Sequence, residues 1–208
     1  MNAASLVRGY VLAGGASSRF GTDKALAELQ GKSMLARTAE VVASACCDVA
    51  VVAAESKVSH PQARNVPDRW PGEGPLGGIL TALLDAGQNS SQESWCLIVS
   101  CDMPFLTEEW LAFLVKRAAE SGGEALVSQN AGRFEPLCAC WKSSASAVIL
   151  TMFDGGTRKV TDALKLLRTE ILDEKDWKRF DTNGRLFWNM NTRADFDEAR
   201  RVLEVENK

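Results

Sequence analysis

Short apolar runs alternate along this chain with segments whose apolar positions recur at helical spacing. Residues 6–13 form the first run. Behind Ser33, the positions Met34, Leu35, Thr38, Val41 and Val42 recur as one helix face, and Ser33 is suited to cap it. Residues 49–54 read as a buried strand. Gly74-Pro75-Leu76 opens a second helix, running to about Gly87, with proline near the start where no N–H is needed. A polar, serine-rich loop covers 88–94, and 95–100 is again strand-like. Thr107 then caps a helix with Glu108 and Glu109 in its first turn, where the helix dipole favours acids. Residues 124–128 are a further strand-like run.

This βαβαβ rhythm predicts a mainly parallel sheet with helices on both faces. The second part of the chain has a different character. Residues 134–141 read as one longer, antiparallel strand. Residues 145–153 and 160–167 read as helices. A late strand is expected near Trp188, and Thr192 caps a last helix with Asp195 three residues on. No internal repeat or low-complexity linker divides the 208 residues, so they are read as one domain, 1–208.

Composition narrows the function classes. At 46% hydrophobic and 25% charged, the chain matches ordinary soluble globular proteins. The net charge of −3 supplies no basic field for nucleic acid, so positive charge must be concentrated locally if anions are bound. No apolar run approaches the roughly 20 residues of a membrane span, and the first nine residues lack a signal-peptide core. A cytoplasmic location is expected. The six cysteines form no CxxC and His60 is the only histidine, which argues against a Cys/His zinc site. Buried free thiols in a reducing compartment are the preferred reading, with Cys101 assigned to packing.

The segment Val11-Leu12-Ala13-Gly14-Gly15-Ala16-Ser17-Ser18-Arg19-Phe20-Gly21-Thr22-Asp23-Lys24 follows the first strand directly. Glycines let backbone amides approach an anion, and successive amides form an anion-binding nest. Arg19 adds a forked cation and Lys24 a point charge, both suited to phosphate oxygens. The loop reads as a triphosphate cradle. It is neither a Walker A loop nor GxGxxG.

In open α/β sheets ligands bind at the carboxyl ends of the strands. Asp102, in Ser100-Cys101-Asp102-Met103-Pro104-Phe105, stands at such an end. A carboxylate there suits Mg²⁺, which takes one or two carboxylates plus substrate phosphates and water. Gly155-Gly156-Thr157-Arg158-Lys159-Val160 places two cations at a helix start, where an anion would reconcile them with the dipole. Arg158 and Lys159 are thus contacts for an anionic group such as a phosphate, or equally a solvated basic turn.

The run from Leu12 to Lys24 resembles LAGGxSSRxGxDKAL, the fingerprint of the small nucleotidyltransferases that include molybdenum cofactor guanylyltransferase. Ser100 to Phe105 resembles that family's CDxPF element. Asp68 with Gly74-Pro75-Leu76-Gly77-Gly78 resembles its Asp-plus-GPLxGI element. Pro136 to Trp141 resembles its PLxAxW strand, and Asn189-Met190-Asn191-Thr192 its NxNT element. The resemblance implies a three-layer αβα, Rossmann-like nucleotidyltransferase fold with a mainly parallel, mixed sheet. It implies a nucleotide half at about 1–128 and an acceptor half at about 129–208. It further implies Mg²⁺ on Asp102 and Asp68 against the nucleotide. Asn191, and with it Asn189, would complete the metal and phosphate environment, although both also suit plain capping. The family often has an Asn after the second strand, where this chain has Val51-Val52-Ala53-Ala54. Base contacts then fall to the backbone of Leu12, Ala13, Gly14 and Gly15.

The implied reaction joins GMP from GTP to the terminal phosphate of molybdopterin and releases pyrophosphate. Arg19, Lys24 and Asp102 would be the catalytic groups. Implied partners are GTP and molybdopterin, with transient contacts to proteins that deliver molybdopterin or receive the product, and neither nucleic acid nor membrane. Three alternatives stay open: the same chemistry with CTP, a sugar-phosphate acceptor, or a nucleotide-binding protein without turnover.

Overall fold

The computed structural model describes residues 7–14, 24–54, 60–89 and 93–206. Strand β1 (Val7–Leu12) leads into the described turn Lys24–Leu26 and a short hairpin, β2 (Glu28–Leu29) and β3 (Lys32–Ser33). Then come α1 (Met34–Ala45), β4 (Asp48–Ala53), β5 (Arg64–Pro67), α2 (Pro75–Gln88), β6 (Trp95–Ser100) and α3 (Glu108–Glu120). The second part holds β7 (Ala125–Asn130), β8 (Arg133–Phe134), β9 (Cys138–Lys142), α4 (Ala145–Asp154), α5 (Val160–Leu166), β10 (Thr169–Leu172), α6 (Glu174–Trp177) and α7 (Arg193–Glu206).

The main sheet runs β10-β7-β9-β6-β1-β4-β5, with β8 paired to β7. Parallel pairing links β6, β1, β4 and β5, and separately β10 and β7. Strand β9 is antiparallel to both β6 and β7. The expected mixed, mainly parallel sheet is observed.

Strand β1 lies inside the sheet, between β6 and β4, and both its faces are apolar. Val7 and Val11 face α1 and α3, packing with Leu35, Val42, Trp110 and Leu114. Tyr10 and Leu12 face α2, α4 and α5, packing with Ile79, Leu80, Leu83 and Ile149. Gly9 permits the close approach of α1, since a Cβ there would stand 2.3 Å from Val42 Cγ1. A third cluster, including Leu29, Met34, Phe105, Met190, Phe196 and Leu203, ties α7 to the β2–β3 hairpin. The turn carrying Lys24 packs against α1, with Ala25 buried in the same cluster as Leu35 and Ala39.

The predicted caps form. Ser33 accepts from Ala36 N at 3.1 Å and Thr107 from Trp110 N at 3.2 Å. Thr192 Oγ1 accepts from Asp195 N at 3.2 Å, and Asp195 Oδ2 accepts from Thr192 N at 2.7 Å, the reciprocal capping box.

Three expectations change. The strand read over 134–141 is broken into β8 and β9, because Pro136 has no N–H to donate. There the Glu135 amide donates to Ser128 and the Cys138 amide to Glu135, which makes a turn. No late strand forms near Trp188; residues 185–192 are turn and loop. The missed outer strand is β10, which is four residues long and leaves Ile171 47% exposed. The cysteines are free, and Cys96, Cys101, Cys138 and Cys140 are buried as expected, but Cys47 is exposed. Burial pushes the Cys96 and Cys138 thiols up to about 12, consistent with packing.

Candidate active site

The loops after β1, β4, β5 and β6 are sewn together by backbone bonds beyond the strand ends. Ala13 N donates to Val52 O at 2.9 Å, Asp68 N to Ala53 O at 2.9 Å, and Cys101 N to Leu12 O at 3.1 Å. Between them lies a cleft of about 280 Å³ lined by Leu12, Gly14, Val52, Ala54, Asp68, Pro71, Gly74, Gly78, Ser100, Asp102 and Leu137, among others. It opens at the carboxyl ends of the parallel strands, where ligands of such sheets bind. Gly74 is the N-cap of α2 with φ 84°, a conformation that favours glycine.

Lys24 and Asp102 meet at this cleft. Lys24 Nζ lies 2.8 Å from Asp102 Oδ2, with the two side chains 17% and 16% exposed. The Asp102 backbone is held in turn, since its carbonyl accepts from Met190 N at 2.9 Å. Phe105 stacks on Trp188 at 5.5 Å with an interplanar angle of 13°. The loop bearing Asn189 and Asn191 therefore clamps the segment bearing Asp102. Asp102 Oδ1 is buried and has no hydrogen-bond partner among the described residues. A buried carboxylate oxygen without a partner is costly, so this one is suited to a ligand cation.

Asp68 lies on the opposite wall. Its Oδ1 accepts from Trp70 N at 3.1 Å and from the Thr81 hydroxyl at 3.0 Å. Its Oδ2 faces Gly14, where a Cβ would stand 3.9 Å from that oxygen. The structure thus brings Leu12, Gly14, Asp68, Lys24 and Asp102 into one region. The Ala13 amide and the Leu12 carbonyl are already engaged by Val52 and Cys101, so the ladder uses part of the backbone expected to read a base. Gly15, Ser17, Ser18 and Arg19 lie outside the described residues.

The remaining candidates are placed differently. Asn189 Nδ2 donates to Phe187 O at 3.2 Å, and Asn191 N donates to Asp195 Oδ2 at 2.8 Å. Without a strand, alternation does not set these two side chains. Desolvation pushes the Asp195 carboxyl up. The Asn191 and Thr192 amides, the Thr192 hydroxyl and the charge of Lys24 outweigh it and hold the group below the usual carboxylate range. Asp195, which sequence reading took as capping alone, thus also feels the charge of Lys24.

Arg158 is engaged within the protein. Its Nε lies 2.6 Å from Glu73 Oε2, its NH1 donates to Phe153 O at 2.7 Å, and its guanidinium sits 3.7 Å over the Phe153 ring. It joins the turn between α4 and α5 to the 70–74 wall of the cleft. Lys159 is the exposed N-cap residue of α5 and makes no side-chain cap bond.

Two features were not anticipated. A second cavity of about 430 Å³ is lined by Asn130, Asp181, Gly184, Arg185, Phe187, Trp188 and Glu198. Most of these come from an irregular loop with no periodic signal to find. Glu135, in the break between β8 and β9, has its carboxyl pushed up to about 7 by burial. No helix among the described residues is long and apolar enough to cross a membrane.

The MobA-like NTP transferase domain matches residues 9–169. A probable molybdenum cofactor guanylyltransferase of Chloroflexus aggregans is 30% identical over 209 residues, covering 97% of this chain and 97% of its own. One from Bacillus cereus (strain ATCC 10987 / NRS 248) is 29% identical over 205 residues, covering 95% of this chain and 98% of its own. The crystal structure of molybdopterin-guanine dinucleotide biosynthesis protein A from Archaeoglobus fulgidus superposes with a TM-score of 0.81 at 26% identity. It covers 95% of this chain and 98% of that one. The chain belongs to the MobA-like NTP transferase family and is a nucleotidyltransferase.

Proposed function

We propose that this enzyme transfers GMP from GTP to the terminal phosphate of molybdopterin, releasing pyrophosphate and forming molybdopterin guanine dinucleotide. The observation that carries the reading is the Lys24–Asp102 pair at 2.8 Å, at the mouth of a cleft walled by Asp68 and Gly14. The names of the full-length relatives point the same way.

An acceptor phosphate monoester has a second pKa near ~6 and is largely a dianion at neutral pH. It needs no general base, and catalysis then rests on alignment and charge neutralisation. Lys24 would offset charge developing on the α-phosphoryl group. Asp102 Oδ1 fits a divalent cation, and Mg²⁺ bound there would supply further charge neutralisation at the phosphates. Among the described residues no three His, Cys, Asp or Glu side chains cluster as a metal cage. One carboxylate, with substrate phosphates and water completing the shell, is the usual Mg²⁺ arrangement. Arg19 and the amides of 14–18 are assigned to the leaving pyrophosphate, and the Leu12–Gly15 backbone with Asp68 to the nucleoside. Lys159, Asn189 and Asn191 are assigned to the acceptor side, where transient contact with molybdopterin-carrying proteins is expected, while Arg158, held by Glu73 and Phe153, is assigned to bracing the 70–74 wall.

The test is pyrophosphate release with molybdopterin and Mg²⁺ across a panel of GTP, CTP, UTP and ATP. GTP alone should be consumed at an appreciable rate. Consumption of CTP instead would reassign the base, and GTP binding without pyrophosphate release would make the chain a sensor.

A further inference from the structure

We infer that Thr81 is a positioning residue for nucleotide recognition, fixing the Asp68 carboxylate so that Oδ2 meets a hydrogen-bond donor on the nucleoside. The inference rests on the reading of the cleft as the nucleotide site.

Thr81 lies inside α2 and is fully buried. Threonines within helices commonly turn their hydroxyl back to the carbonyl four residues earlier. Two in this molecule do so. Thr38 donates to Met34 O at 3.0 Å, and Thr151 to Ala147 O at 3.0 Å. Thr81 instead sends its hydroxyl out of the helix to Asp68 Oδ1 at 3.0 Å, while accepting from Arg69 N at 3.1 Å. Both hydroxyl functions are spent on the loop between β5 and α2. The Trp70 amide occupies Asp68 Oδ1 from the other side, at 3.1 Å. A carboxylate is planar, so pinning one oxygen from two directions fixes the direction of the other. That other oxygen, Oδ2, is the one facing Gly14.

An ionised carboxylate only accepts hydrogen bonds. The donors a guanosine nucleotide can present are its N1–H and 2-amino edge and its ribose hydroxyls. An acceptor held in advance toward either one binds without the cost of ordering it, and it penalises a nucleotide lacking that donor. Thr81 touches no ligand in this scheme and acts only through Asp68.

The experiment measures KM and kcat with GTP, ITP and 2′-deoxy-GTP for Thr81→Val, Thr81→Ser, Asp68→Asn and the Thr81→Val/Asp68→Asn double variant. Valine keeps the volume and removes the hydroxyl; serine keeps the hydroxyl. Thr81→Val should raise KM for GTP about tenfold, the worth of one charge-assisted bond, with kcat within about twofold. Thr81→Ser should stay near wild type. The double variant should be no worse than Asp68→Asn alone. The base and the ribose are told apart by which analogue, ITP or 2′-deoxy-GTP, becomes insensitive to Thr81→Val. If Thr81→Val fails to fold, the same shift is read from Thr81→Ala. The inference is overturned if Thr81→Val or Thr81→Ala leaves KM unchanged, if Thr81→Ser is equally impaired, or if the double variant is additive. If Asp68→Asn itself leaves KM for GTP unchanged, it is the nucleotide assignment of the cleft that fails.

Discussion

The two sides of the active site are held by different forces. The nucleotide wall is an extension of the sheet. Leu12, Ala13, Asp68 and Cys101 are joined by backbone bonds that continue the parallel ladder past the strand ends. The opposite side, which we assign to the acceptor, shows no such ladder among the described residues. Among the described residues the 181–192 loop reaches the site through a backbone bond, Met190 N to Asp102 O, the stack of Trp188 on Phe105 and apolar packing of Met190 with Phe105. A ladder tolerates side-chain change because its bonds are main-chain bonds; a stack does not. Side-chain substitutions should therefore act on the nucleotide wall mainly through charges that meet the substrate, and on the acceptor side through packing.

The largest effects should come from the pair where the two sides meet. Asp102→Ala and Lys24→Ala should each lower turnover by about 10²–10³, the usual loss for one preorganised electrostatic contact. Pyrophosphate release at saturating GTP measures it, and full turnover in either variant would falsify the assigned roles. Asp102→Ala should also abolish the response of the rate to added Mg²⁺.

The acceptor-side prediction is next in size. Trp188→Ala removes the ring that backs Phe105 and should lower kcat about tenfold, since small displacements of a catalytic group are expensive. KM for GTP should stay within about twofold, because the nucleotide wall does not depend on the stack. Trp188→Phe should restore most of the rate. Equal damage to KM for GTP would show that the two sides are one packing unit and that the contrast is wrong.

Much of the fold was legible because parallel strands buried on both faces read as unbroken apolar runs. The runs at 49–54 and 95–100 lie within one residue of β4 and β6, and Ser33, Thr107 and Thr192 cap as their positions imply. The 134–141 run misled because its hydrophobicity continues through Pro136, while its hydrogen bonds cannot. Strand β10 is short and half-exposed, so it carries no period. The motif residues of the site could be found one at a time, but their pairing could not. Lys24 and Asp102 are 78 positions apart. Thr81 within a helix looks like core filler, and nothing in the spacing links Arg158 to Glu73.

That last pair separates two roles for Arg158. As a strut from the turn between α4 and α5, it holds the 70–74 wall through Glu73 and Phe153. Exposed ion pairs contribute about 0–1 kcal/mol, so Arg158→Ala should raise KM for GTP only about threefold. Glu73→Gln should do the same, and the double variant should be less than additive. An acceptor contact would behave otherwise: KM for molybdopterin would rise and KM for GTP would not.

The smallest expected effect concerns stability rather than turnover, and it tests the irregular break on the acceptor side. Burial pushes the Glu135 carboxyl up to about 7, against the charge of Arg133 and a hydrogen bond from Asn130, from an ordinary value of 4.5. Between those two values the native state holds a proton that the unfolded state has lost. Stability from this group is therefore complete below about 4.5, falls as pH rises, and levels off above about 7. Glu135→Gln keeps the shape and stays neutral, so its melting temperature should match wild type near pH 4.5 and exceed it at pH 8. The gap should be about 2–4 °C, allowing for the screening of a half-exposed side chain. Melting curves of the two proteins that stay parallel across this range would mean that water reaches the carboxylate through the break. The acceptor side would then be open at Glu135 as well as at the 181–192 loop.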